Sequence, residues 1–518
     1  MKKGTLGILL AVSSLSLVAC GESQGTETPK EEQKDSFIYA IGGDPSSLNP
    51  ITVSDRWGLT ATNIIYSPLA RVEADGSQTL ELAESITPAE DGKSITVKLK
   101  DDIEWSDGEA LTADDVVFTY NEKAKKENGN ADSLLVNGEP IKAQKIDETT
   151  VEFDLPSVSA AALNNIANET YIIPEHVFKD EPDFSASTLE AQAVGTGPYV
   201  LKEYQPGQYL QFEANEHYYG GEPAIKKLTL QIIENADTTK VALQKGEVDA
   251  SFILPADIEE LSSAALTTYS YSENRVGYLG FNTNSDKLND VKVRQAIQYA
   301  LNREELNKAA YLDEAYYQNA VSILPPNNPY ATTEVNDYQT DLAKAQELLT
   351  ASGVTDLKIN LAFSASDPAQ NLQATLIQQQ LAKVGIEVEL IAGDSAVYGT
   401  ELRTAGSKKY DLFLNGYIMG NDPDLYSILF ASTGSHNYFQ YHSEKADALF
   451  AQGAVELDQN KRETIYDDLQ KQIAEDAIIY PIVDNQKVLA VNNQFDQVNE
   501  AGLIPIYTFE DLSKLTIK

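Results

Sequence analysis

Apolar and polar positions alternate at Ile95, Val97 and Leu99 within Ser94 to Lys100, and this period of two predicts a half-buried strand. The same period recurs over Leu228 to Ile233, at Leu357, Ile359, Leu361 and Phe363, and at Ile386, Val388 and Leu390. Short apolar runs at Phe37-Ile38-Tyr39-Ala40, broken by Gly42-Gly43-Asp44-Pro45, and at Asp411-Leu412-Phe413-Leu414 predict two more strands. Helical spacing follows cap-like residues. Thr112-Ala113-Asp114-Asp115 resembles a capping box opening a helix through Val116, Val117, Tyr120 and Ala124. Asp290 would cap Val293, Ile297, Ala300 and Leu301, and Thr340 or Asp341 would start a helix carrying Leu342, Ala345, Leu348 and Leu349 up to Gly353. Asp367-Pro368 opens another, with Leu372, Leu376, Leu381 and Val384 as its apolar stripe and Gly385 as its stop. Strand, helix and strand over residues 357–390 make a βαβ unit, which calls for a partly parallel sheet flanked by helices. The strand at Asp411 to Leu414 is expected to run into a loop, Asn415 to Asp424, beyond the carboxyl end of a strand, where α/β sheets bind ligands.

Composition narrows what such an α/β chain can do. Its 518 residues suffice for about three domain-sized units or two large lobes. The formal charge of −40 repels phosphate backbones and anionic headgroups, which excludes nucleic-acid partners and adhesion through a basic patch. A single Cys excludes an internal disulfide and a Cys-based zinc or iron–sulfur site. Gly-x-Ser-x-Gly, Gly-x-Gly-x-x-Gly, the phosphate-binding Gly-Lys-Ser/Thr loop and His-Glu-x-x-His are all missing, so no enzyme signature and no cofactor site is read. His436 and His442 lie six apart in Ser435 to His442, a spacing open to a metal site or to loop histidines.

The amino terminus has its own pattern. Lys2 and Lys3 precede a short apolar stretch, Gly4 to Val18, ending in Leu17-Val18-Ala19-Cys20. This is a secretory signal closing on a bacterial lipobox, so residues 1–19 are expected to be removed and Cys20 lipidated. Residues 20–36 then form a flexible tether, giving a protein anchored to the membrane without spanning it.

Several short strings occur in a set order: Gly43-Asp44-Pro45 with Ser47-Leu48-Asn49-Pro50, Tyr66-Ser67-Pro68-Leu69, and Trp105-Ser106-Asp107-Gly108 with Leu111-Thr112-Ala113-Asp114-Asp115-Val116. Gly195-Thr196-Gly197-Pro198-Tyr199, Gly246-Glu247-Val248-Asp249, Val293-Arg294-Gln295-Ala296-Ile297, Tyr410-Asp411-Leu412 and Asp422-Pro423-Asp424 follow. Through them the chain resembles the extracellular solute-binding proteins of family 5, the oligopeptide, dipeptide and nickel receptors of ABC importers. The resemblance implies a two-lobed periplasmic-binding-protein-like clamp of type II, in its large three-domain variety, with mixed sheets and two hinge crossings. Lobe I would be 37–277 plus 486–518, with an insert near 77–193, and lobe II 278–485. It also implies a monomer with no catalytic activity and no cofactor, which captures oligopeptides and delivers them to ABC permease subunits. A nickel chelate, haem or a small oligosaccharide is the alternative cargo, the metal version drawing on His436, His442 and Met419. Its place would be the outer face of a Gram-positive membrane.

The same resemblance implies where the ligand sits. It points to Trp57 and Leu59, to Tyr278 and Asn282, and to Tyr417, Asn421, Asp422 and Asp424, with Tyr426 and Tyr438 nearby. Asp422 and Asp424 would pair with a ligand ammonium, or else shape a turn and cap a short helix. Trp57 either stacks on ligand or packs in the core. Gly277 and Gly280 would flank the first crossing as hinge residues, or else serve tight packing beside a strand. The acidic residue that family receptors place three positions before the Asp-Pro pair is here Met419, so the reading of a peptide amine stays open.

Overall fold

The computed structural model describes residues 35–72, 77–129, 131–181, 183–184 and 193–518. The expected signal segment, Cys20 and most of the tether lie outside the described residues. The predicted strands largely form: Ser36–Ile41, Ser94–Leu99, Lys227–Ile232, Lys358–Ser364 and Glu387–Gly393 are all extended.

An 11-stranded mixed sheet runs through the molecule. From one edge it reads Tyr199–Gln205, Tyr209–Ala214, Lys227–Ile232, Ser36–Ile41, Ala250–Ile253 and Ile479–Asn492. It continues through Leu266–Phe281, Leu412–Ile418 and Lys358–Ser364 to Glu387–Gly393, with Tyr317–Asn319 paired beside Ile479–Asn492. Lys358–Ser364 and Glu387–Gly393 pair in parallel around the helix Pro368–Ala382, giving the expected βαβ unit. Most of the expected stripe is buried, with Leu381 and Val384 in the core and Leu376 packed against it, but other positions of the helix join it. Leu372 is exposed, while Ala374, Ile377 and Leu381 face inward with Gln370, Gln373 and Gln380. Two of these glutamines enter with their amide oxygens used: Gln370 accepts from the Ser364 N–H at 2.8 Å, and Gln380 accepts from the Asn302 N–H at 2.9 Å, while the Gln373 amide nitrogen is buried without a partner among the described residues.

Separate cores divide the chain. One gathers Phe37, Tyr39, Phe212, Leu230, Leu489 and Phe509, joining the first described strand to the chain's end. Two others cover opposite faces of the second half of the sheet. Along Leu266–Phe281, Leu279 and Phe281 enter one core while Val276 and Tyr278 enter the other, as strand alternation requires. A fourth core, around Trp105, Val97, Phe153 and Tyr120, lies over a four-stranded antiparallel sheet in the order Ala83–Pro88, Ser94–Leu99, Thr150–Asp154, Lys142–Lys145. The helix Ala113–Lys123 packs on it, and Thr112 and Asp115 form the capping box read from sequence. These antiparallel strands form a body with its own apolar centre.

The Gly195-Thr196-Gly197 string joins this body to the first core. A β-carbon at Gly195 would lie 1.9 Å from the Ile65 carbonyl oxygen, and one at Gly197 would lie 2.5 Å from that of Ile64. Backbone therefore meets backbone here. The Gly197 N–H donates to the Ile65 oxygen at 2.8 Å, and the Ser106 N–H donates to the Gly195 oxygen at 3.0 Å.

Candidate functional site

A cavity of about 360 Å³ opens between the Trp105-centred body and the segments around residues 421 and 456–462. Pro88, Ala89, Ile95, Leu155 and Leu163 form its apolar wall, and Tyr330, Asn421, Asp422, Glu456, Leu457 and Arg462 stand across from them. The volume falls in the range of small-molecule sites. Two contacts close its rim: the Ala160 N–H donates to the Ala454 oxygen at 2.9 Å, and Leu457 reaches Gly92 so closely that a β-carbon there would lie 2.7 Å from it. The side-chain amides of Asn164 and Asn421 line the cavity without a hydrogen-bond partner among the described residues. Each offers a donor and an acceptor, the same pair that a peptide group presents.

The second-lobe wall is held by one buried ion pair. Asp422 receives Arg462 Nη1 at 2.9 Å and Nη2 at 2.8 Å, with the two side chains 9% and 6% exposed. Arg462 Nε also donates to the Gly453 oxygen at 2.9 Å, and its guanidinium lies 5.4 and 5.3 Å from the Tyr330 and Tyr466 ring centres. Burial opposes its charge, but the Asp422 carboxylate more than offsets this and holds the guanidinium above its ordinary pKa. Asp422 also accepts from the Asp424 N–H at 2.9 Å as the N-cap of the turn Pro423–Tyr426. The cap is therefore Asp422 and not Asp424. With Arg462 already paired to it, Asp422 presents no free carboxylate to a ligand ammonium, contrary to expectation. The Asp424 carboxyl is pushed up to about 6 by burial and then by the Asp422 charge.

Other expected site residues are placed differently. Asn415 to Ile418 is strand, not loop, because it pairs with Arg275–Phe281. Tyr278, Tyr417 and Tyr426 lie in the aromatic core with Phe413, Phe430 and Phe439, and the Tyr417 hydroxyl donates to the Ile323 oxygen at 2.5 Å. Asn282 is fully buried, and its amide donates to the oxygens of Ser407 and Tyr410 at 2.9 Å each. All four are buried in this structure: Tyr278 and Tyr417 through alternation along their strands, Asn282 just beyond a strand's end, and Tyr426 in the turn Pro423–Tyr426. Tyr438 is half-buried under the Arg403 guanidinium, 5.8 Å from its ring centre and away from the cavity. Trp57 and Leu59 are half-buried on the helix Arg56–Ile65, with the Trp57 ring pressed on Gly42 and Gly43. Of the expected residues, then, Asn421 and Asp422 share the cavity.

Gly277 and Gly280 are packing positions: β-carbons there would lie 2.8 Å from Val483 Cγ1 and 2.2 Å from the Phe413 ring. Both pair with the strand Leu412–Ile418, opposite Gly416 and Phe413, but the pairing with Ile479–Asn492 slips between Gly277 and Tyr278. The same pairing also breaks, over a longer stretch, between Ser272 and Val276, where Asn274 has φ of +52°. Two carboxylates are buried at this break. Glu273 is 1% exposed and meets Arg56 Nη2 at 2.5 Å and Lys487 Nζ at 3.7 Å. Asp484, fully buried, accepts from the Ser272 hydroxyl at 2.8 and 2.7 Å, and burial pushes its carboxyl up to about 6.

A raised folded-state pKa favours the neutral acid. Its contribution is therefore complete below the unfolded value near 4 and is lost as pH rises through about 6. Asp484→Asn keeps an acceptor for Ser272, so it should match the wild type in melting temperature at pH 4 and exceed it at pH 8. Equal melting temperatures at both pH values would show that Asp484 is charged without cost.

Sequence reasoning missed Arg462, Tyr330, Asn164 and Leu457. Arg462 lies 40 residues beyond Asp422, on the helix Gln459–Asp476, which is mostly polar. The one available signal was scarcity: the chain has only seven arginines, so each is a candidate partner for a buried acid. Among the described residues no group of three or more His, Cys, Asp or Glu is arranged to hold a metal ion. His442 is exposed, and His436 contacts the Ser435 hydroxyl at 3.0 Å.

Comparison with known proteins adds an independent line. The family model described as bacterial extracellular solute-binding proteins, family 5 Middle, matches residues 78–440. The ABC transporter substrate-binding protein CtaP of Listeria monocytogenes superposes with a TM-score of 0.90 at 36% identity, over 94% of this chain and 100% of that one. The oligopeptide-binding protein AppA of Bacillus subtilis is 28% identical over 512 residues, 90% of each chain. The nickel-binding periplasmic protein of Escherichia coli is 28% identical over 453 residues, 82% of this chain and 84% of that one.

Proposed function

This chain belongs to family 5 of the bacterial extracellular solute-binding proteins, and on that premise we propose that it captures oligopeptides between two lobes and hands them to an ABC permease. The observation that carries the reading is the cavity itself. Two separately cored bodies meet around it, with the Ala160–Ala454 hydrogen bond and the approach of Leu457 to Gly92 at the rim, while the Asn164 and Asn421 amides, on opposite walls, have no partner among the described residues. Main-chain-like recognition of this kind suits peptides of varied sequence, whose shared feature is the amide group. Ligand held between two such bodies biases the clamp toward closure.

In this reading lobe I comprises residues 37–277 with the carboxyl-terminal stretch 486–518, the insert lies near 77–193, and lobe II is 278–485. The crossings in this reading are Val276 to Phe281 and Val483 to Lys487, a reading supported by the nearby slips in strand pairing at Ser272 to Val276 and Gly277 to Tyr278. The protein acts as a monomer and carries out no catalysis, with Cys20 lipidated to hold it on the outer face of a membrane. A nickel chelate, haem or oligosaccharide is the second reading. It is less supported, since neither His436 nor His442 lines the cavity.

The test uses protein starting at residue 21 and synthetic peptide pools of two to nine residues. Native mass spectrometry should detect one-to-one complexes. At a hundredfold excess of ligand over its dissociation constant the fold should gain about 2.7 kcal/mol, visible as a rise in melting temperature. No complex and no thermal shift with pools of every length, alongside a response to nickel-histidine or haem, would overturn the peptide reading in favour of the second.

A further inference from the structure

We propose that Glu456 receives the basic side chain of a lysine or arginine within the bound peptide, so that the cavity selects a cation carried on an aliphatic stem. This rests on the peptide reading above and names one side chain that the ligand presents.

Glu456 stands in the loop between the helices Glu444–Gly453 and Gln459–Asp476 and lines the cavity. Its neighbours hold that loop against the Trp105-centred body: the Ala454 oxygen accepts the Ala160 N–H, and Leu457 presses on Gly92. The carboxylate is itself oriented. Its Oε1 accepts the Asp458 N–H at 2.8 Å, just ahead of the helix that Asp458 caps, while its Oε2 has no partner among the described residues. The side chain is half-buried and forms no ion pair among those residues. Lys461 lies 4.0 Å from Asp458 instead, and Lys93, between the lining residues Gly92 and Ser94, is exposed.

The other charges on the wall cancel. Asp422 and Arg462 are spent on each other in the bidentate pair, which leaves Glu456 as the one uncompensated charge among the lining residues. Facing that side of the cavity is the apolar wall of Pro88, Ala89, Ile95, Leu155 and Leu163. A lysine or arginine side chain has the matching build, methylenes that pack on apolar surface and a charged head that donates to a carboxylate. A neutral side chain would take water from Glu456 without supplying a counter-charge, and an acidic one would meet a like charge. The ammonium at a peptide's amino end has no such stem to cover the apolar wall.

The test offers protein starting at residue 21 equal amounts of three pools of peptides, three to five residues long and built from Ala and Ser. Each carries one internal residue, Lys, norleucine or Glu, and norleucine keeps the aliphatic stem without the ammonium. Native mass spectrometry should show the Lys pool retained at least about fivefold over the norleucine pool and further over the Glu pool, a charge-assisted hydrogen bond reduced by partial exposure. Glu456→Gln, which keeps an acceptor for the Asp458 N–H, should bring the Lys preference to within about twofold, and Glu456→Lys should place the Glu pool first. Attraction of cations by the overall charge of −40 would persist in Glu456→Gln, which removes a single charge. Melting curves check that both variants fold, and the wild-type ratio decides without them. Equal retention of the Lys and norleucine pools by wild type, or undiminished preference in Glu456→Gln, would overturn the inference and leave peptide capture standing. An equal fall of both pools in Glu456→Gln would assign the carboxylate to the peptide's amino end and overturn it as well. Failure of all three pools would remove the peptide reading and this inference with it.

Discussion

Replacing Arg462 by alanine should cost about 3–5 kcal/mol of folding stability and abolish ligand capture. The change leaves Asp422 almost fully buried beside Asp424, whose carboxyl is itself pushed up to about 6, with no counter-charge and no bidentate donor. It also removes the group that ties the turn at Asp422, the Gly453 carbonyl and the rings of Tyr330 and Tyr466 to one another. The cavity's second-lobe wall is built from these same segments, so binding should fall further than stability alone explains. Urea unfolding measures the first effect and native mass spectrometry the second. A double variant, Asp422→Asn with Arg462→Met, should recover much of the stability, because it removes both charges together. A loss below about 1 kcal/mol in the single variant, the range of an exposed pair, would mean that water reaches this pair.

Gly195→Ala should be nearly as damaging through sterics alone. Its φ is not in the left-handed range, so an alanine backbone is allowed. The added carbon nevertheless has no room, since the Ile65 carbonyl oxygen is 1.9 Å away and belongs to the end of the helix Arg56–Ile65. Separating the two backbones would strain the bonds from Gly197 to Ile65 and from Ser106 to Gly195, which fix the Trp105-centred body against the first lobe. A cost of about 3 kcal/mol or more is expected, at the upper end for overpacking. Because that body supplies one cavity wall, affinity should fall as well. Wild-type unfolding and wild-type binding in Gly195→Ala would show that the seam does not set the position of the insert.

Local rules made much of this fold readable. Caps such as Thr112 with Asp115, Asp341 and Asp367 work through hydrogen bonds within three residues, so the sequence alone contains both partners. The strand Leu412–Ile418 outran its expected end because Asn415-Gly416 looks like a turn, yet pairing with Arg275–Phe281 holds it extended. Tyr278, Asn282 and Tyr417 were expected on the cleft wall from resemblance; alternation along their strands sends Tyr278 and Tyr417 into the core, and Asn282 is buried bonding to the Ser407 and Tyr410 carbonyls. The cavity was the least readable feature. Its walls come from residues 88–164 and from residues beyond 330, and nothing local in Asn164 or Leu457 announces that they meet. Asp422 was found because its Asp-Pro string is recognisable, whereas its partner Arg462 lies on a polar helix with no motif.

The central claim is that two lobes close on a ligand about the crossings at Val276 to Phe281 and Val483 to Lys487. Small-angle X-ray scattering tests it directly, comparing protein freed of ligand by partial unfolding and refolding with the same protein saturated by a peptide that native mass spectrometry has shown to bind. The account predicts a smaller radius of gyration and a shorter maximum dimension in the saturated sample. Superimposable profiles at full occupancy would contradict it.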